Sequence, residues 1–170
     1  MIPIFSAITG GLIWSKIPRQ RGYELKGNGG IVASLRQISC WSREFQAESQ
    51  YGSWRFRRTG FWRAAMEIVD ATSGVRIAAL KPNWTGGGTL VFSDGQTFQL
   101  VCKGFWRPVW SVVANGQLVL NIHSRGKKVE LPNEPRLPEG RLTLLAIFTW
   151  HLMRQAAEDA ASAAVVVAAT

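Results

Sequence analysis

The stretch SWRFRRTGFWR, residues 53–63, brings four arginines and four aromatic rings together within eleven residues. Guanidinium groups grip phosphate oxygens two at a time, and tryptophan settles where apolar and wet surroundings meet. The stretch therefore suits an anionic headgroup, and Arg55, Arg57, Arg58 and Arg63 form the candidate ligand-binding set. The same mixture could stack on single-stranded nucleic acid. A plainer use is also open, in which the arginines lie over rings as cation–π supports of an outer wall. Lys103, Arg107, Lys127 and Lys128 make a weaker second set.

Other chemistry finds little material. The two histidines, His123 and His151, stand apart, one on the polar alternation of a strand and one in an apolar run, where burial would demand a hydrogen-bond partner. A pairing of His151 with Cys40 or Cys102 as base and nucleophile would be sealed from substrate. Both cysteines lie in strand-like segments, without metal-ligand spacing, and are expected to be reduced. Neither GNGG nor TGGG is followed by Lys-Ser or Lys-Thr, so both read as turns rather than phosphate loops. Asn83-Trp84-Thr85 fits a glycosylation sequon, which has no relevance without a secretory signal. The expectation is a protein without catalysis, cofactor or metal.

Charge is unevenly placed. The chain carries a formal +9, and residues 16–63 hold ten Lys/Arg against three acids. The last thirty residues are neutral. A basic first third points to an acidic partner, although a surplus of this size also serves solubility.

The elements that must carry these residues are short strands. Turn signals recur about every 8 to 12 residues, a rhythm of antiparallel barrels and sandwiches. Asp94-Gly95 and Asn115-Gly116 are the pairs that two-residue hairpins prefer. Between turns the period is two: Trp54 and Phe56 alternate with Arg55 and Arg57, and Phe98, Leu100 and Cys102 with Thr97, Gln99 and Lys103. About eleven strands are predicted between residues 23 and 131. Gly60-Phe61-Trp62-Arg63 returns as Gly104-Phe105-Trp106-Arg107 with the flanks in step, which suggests a repeated strand pair on two parts of one closed sheet.

The end of the chain breaks this pattern. Residues 142–153, LTLLAIFTWHLM, contain no charge and no single wet face. A surface helix shows an apolar stripe on one side only, so a helix that is apolar all round must be surrounded. The strands are the only surroundings available, and about a dozen leave room for a helix roughly 10 Å across.

Neither end reads as a transmembrane span. The apolar start falls short of about 20 residues, and Arg154, Glu158 and Asp159 interrupt the closing segment. The expected organisation is an apolar and basic lead-in over residues 1–22, a barrel with its central helix over 23–155, and an alanine-rich helical tail over 156–170. The expected location is the cytoplasm, with peripheral membrane contact.

The strand series from about Tyr23 to Leu131, the phrases MEIVDATSGVRIAAL (66–80) and WSVVANGQLVLNI (110–122), and the closing LTLLAIFTW resemble the Tubby C-terminal-like fold, which includes the LURP-one-related proteins and the phospholipid scramblases. The resemblance implies a closed antiparallel barrel of about twelve strands around a hydrophobic C-terminal α-helix. It implies lipid-linked functions only loosely. The calcium loop of the scramblases is missing, since Asp70-Ala71-Thr72-Ser73-Gly74 lacks the repeated carboxylates, and no headgroup residue carries over. The functional expectation is a non-catalytic module for anionic phospholipid headgroups at a membrane surface. Its alternative is a protein-interaction or structural domain, with nucleic acid a distant third.

Overall fold

Strands that alternate with period two each have one face to bury, and closing the sheet on itself buries all of these faces while removing its edges. The computed structural model describes residues 1–39, 44–59, 65–83, 87–104, 106–132 and 136–168, and its twelve strands close into one barrel. They are β1 (Leu12–Lys16), β2 (Gly22–Gly27), β3 (Gly30–Gln37), β4 (Phe45–Ser49), β5 (Gly52–Thr59), β6 (Ala65–Asp70), β7 (Arg76–Pro82), β8 (Gly88–Phe92), β9 (Thr97–Lys103), β10 (Val109–Ala114), β11 (Gln117–His123) and β12 (Lys128–Glu130). Each pairs antiparallel with its neighbours in chain order. The barrel closes where Leu12 faces Val129 and Ile13 faces Lys128.

One short helix, α1 (Ile4–Ala7), precedes β1, and one long helix, α2 (Glu139–Ala168), ends the fold. Residues 142–153 of α2 are all buried, on every side of the helix. Their surroundings are the inward side chains of the strands. Trp14 of β1 stacks on Trp150 with centroids 5.3 Å apart, and Phe56 of β5 meets Phe148 edge-on at 5.2 Å. The helix thus occupies the axis of the barrel. Twelve residues span about 18 Å, close to the height of the strand layer.

The repeated strand pair keeps the same register in both copies. Phe56 faces Ile68 and Arg58 faces Met66, as Leu100 faces Val112 and Cys102 faces Trp110.

Two sequence boundaries shift. The lead-in is not separate from the barrel, because β1 lies inside it and supplies the closing strand. Nor is the alanine-rich tail a separate element, because α2 runs without interruption to Ala168. Among the described residues, no helix is long and apolar enough to cross a membrane.

The barrel has two unlike mouths. At the first, where α2 enters, three of the five links between strands are two residues long. Asn115 and Gly116 show why such a turn needs those residues, with φ of 50° and 75°. Here α2 is pinned. The Tyr51 hydroxyl donates to Glu139, the Phe5 N–H donates to the same carboxylate at 3.0 Å, and Arg141 pairs with Asp94 at 2.6 Å. Gly140 allows this approach, since a Cβ there would sit 3.1 Å from Tyr51 Cβ. At the second mouth, where α2 leaves, every link has at least four residues.

Candidate anion-binding cleft

The cleft at the exit mouth follows from extending each strand's alternation one step past the core. On β1, Leu12 and Trp14 point inward and Lys16 comes next; on β5, Trp54 and Phe56 point inward and Arg58 comes next. By the same parity Tyr23, Gln37 and Phe45 are the last inward positions of β2, β3 and β4. Five consecutive strands therefore present these side chains to the space beside the emerging helix. That space is a cleft of about 520 Å³, completed by Arg21 from the link after β1 and by Arg154, Gln155, Glu158, Asp159 and Ser162 of α2.

Local hydrogen bonds fix its rim. The Ile17 N–H donates to the Gly22 carbonyl at 3.0 Å, and the Gln37 N–H donates to the Arg21 carbonyl at 2.9 Å, which ties the first link to β3. Arg19 within that link takes a left-handed φ of 58°.

Four cations and two acids face this cleft. Arg154 pairs with Glu158 at 3.1 Å and lies over the Tyr23 ring at 5.3 Å. Arg58 reaches Asp159 only at 4.0 Å. Both acids are well exposed, so these contacts are weak and yield readily to a competing anion. Among the described residues, Lys16 and Arg21 form no ion pair. The arrangement holds two cations ready and two more in exchangeable pairs. It can bind an anion with several oxygens.

His151 lies one helical turn inside the cleft and adds no charge to it. The ring is fully buried against Phe45 and Phe56, with centroids 4.5 and 5.3 Å away, and its Nε2 has no hydrogen-bond partner among the described residues. Burial lowers its pKa from 6.5 to about 3, so the imidazole is neutral. The hydrogen bond expected for this nitrogen is replaced by aromatic packing. No hydrogen bond joins His151 to Cys102, whose thiol pKa burial raises; Cys40 lies outside the described residues.

The four arginines singled out by sequence do not share one site among the described residues. Arg55 and Arg57 stand on the outer wall of β5, half-buried, and Arg57 Nε lies 3.2 Å from Glu44. Arg58 alone turns into the cleft, and Arg63 lies outside the described residues. Lys16, Arg21 and Arg154 were visible only as charges in the sequence. Of the second set, Lys128 pairs on the wall with Glu130 at 3.1 Å, a carboxylate that His123 also meets at 2.9 Å. Trp106, in the link after β9 at this same mouth, is 90% exposed. Trp41, Phe61, Trp62, Trp84 and Phe105 lie outside the described residues.

No protein-family model, curated protein or solved structure matches the chain.

Proposed function

We propose that the protein is a non-catalytic binding module for anionic phospholipid headgroups, held at a membrane surface through the exit mouth. The observation that carries this reading is the cleft, where Lys16 and Arg21 stand without ion pairs among the described residues, beside Arg58 and Arg154. Exposed Trp106 at the same end supports it, because an indole is at home in the interfacial layer where headgroups lie. Relative to the sequence expectation, this reading keeps Arg58 and turns from Arg55 and Arg57 to Lys16, Arg21 and Arg154.

Co-sedimentation with liposomes tests the reading. Binding to vesicles of acidic lipid that fades as salt rises, with none to neutral vesicles, is the expected result. Equal binding to both kinds of vesicle, or to neither, overturns it.

A further inference from the structure

The cationic cleft has an apolar neighbour. On the other side of the Arg58–Asp159 contact, a second cleft of about 200 Å³ opens beside α2, walled by Met66, Leu80, Pro82, Trp110, Leu152 and Ala156. Arg58, Gln155 and Asp159 line both clefts, so the two are adjacent. The second exists because α2 thins as it leaves the barrel. Leu152 and Met153 are the last large apolar side chains before Gln155, Ala156 and Ala157, while β6, β7 and β10 keep their inward faces apolar to the end.

We propose that this second cleft receives the hydrocarbon chain of a phosphate-bearing amphiphile whose phosphate sits on Lys16, Arg21 and Arg58. The inference rests on the headgroup reading and adds that the protein binds an amphiphile as a molecule, not only a charged surface. Charge complementarity names the occupant: a chain in the apolar cleft, joined to an anion, has its phosphate delivered to the neighbouring cations. A polar ligand would leave the apolar walls wet. An uncharged one would leave the arginine and lysine unused.

The discriminating experiment is calorimetric titration of the full chain with inorganic phosphate, butyl phosphate, hexyl phosphate and hexanol. Affinity should rise roughly fourfold for each added methylene that is buried, and hexanol should bind far more weakly than hexyl phosphate. Ala156→Leu, at an exposed helical position, fills the apolar cleft and leaves Lys16 and Arg21, which do not line it, in place. It should abolish the chain-length gain and leave inorganic phosphate binding within twofold of the wild type.

Phosphate and hexyl phosphate binding alike, or a chain-length gain that survives Ala156→Leu, overturns the inference alone and leaves acidic-liposome binding intact. Loss of liposome binding together with silence toward every phosphate removes the headgroup reading as well. Hexanol binding as tightly as hexyl phosphate overturns the coupling of the two clefts.

Discussion

The two mouths are built from the same twelve strands, yet they treat charge in opposite ways. At the anchored mouth, Tyr51 and Arg141 are matched to Glu139 and Asp94, and most links are as short as hairpins permit. At the exit mouth the links lengthen, Lys16 and Arg21 have no acid among the described residues, and Arg58 reaches one only at 4.0 Å. Tight turns with matched charges hold a helix in place. Surplus charge on longer links stabilises nothing by itself and is the form expected of a surface that meets a ligand. The contrast marks one end as the anchor; under the proposed function, binding falls to the other.

The largest effect should come from the stretch between the mouths. Phe148 is wholly buried at the axis, and Phe148→Ala should lower unfolding free energy in urea by about 3–5 kcal/mol, with both ends lost together. Independent melting of the two mouths would break the picture of one core.

Next is acid. His151 binds a proton in the unfolded chain near pH 6.5 but in the fold only near pH 3. Because its folded pKa is lowered, full stability is present above pH 6.5 and falls as pH drops toward 3, by several kcal/mol across the window. Asp70, Asp94 and Glu130 also have lowered pKa values, set chiefly by hydrogen bonds from Ser73, from the Gln96 N–H and from His123 respectively, and their loss begins lower. Denaturation midpoints of His151→Leu should therefore be flat from pH 6.5 to about 4.5, where the wild type slopes. A slope unchanged by the substitution would place the acid sensitivity elsewhere.

Smaller again is Arg141→Ala at the anchored mouth. Its guanidinium lies 3.8 Å over the Phe92 ring, and losing that packing should cost about 1 kcal/mol of stability with liposome binding unchanged. At the exit mouth the pattern should invert. Glu158→Gln with Asp159→Asn should leave stability within about 0.5 kcal/mol and tighten binding to acidic vesicles a few-fold, as two internal competitors are removed.

Much of the architecture was legible because it rests on periodicity. A twelve-residue run without a wet face has one solution in a β protein, and the structure adopts it. The strand that escaped was β1. Its sequence, LIWSK, hides the alternation because Ile13 points outward and is 48% exposed, so three apolar residues in succession look like lead-in. The site was less legible. Arg55 and Arg57 catch the eye by alternating with buried rings, but that alternation is what sends them to the outer wall. Lys16 and Arg58 were recoverable by carrying the inward parity one residue further, to where each strand runs out of core. Arg21 and Arg154 come from a link and from the helix, and only the closing of the barrel brings them to the same space.

The most direct test removes the same charge from two places. Lys16→Gln with Arg21→Gln strips the mouth, while Arg55→Gln with Arg57→Gln strips the wall, and each pair is compared with the wild type in co-sedimentation with acidic liposomes at low salt. The mouth pair should weaken binding about 30-fold, at roughly 1 kcal/mol for each cation near the surface, and the wall pair should leave it close to wild type. Equal losses from the two pairs would mean that overall charge, and not the exit mouth, does the binding.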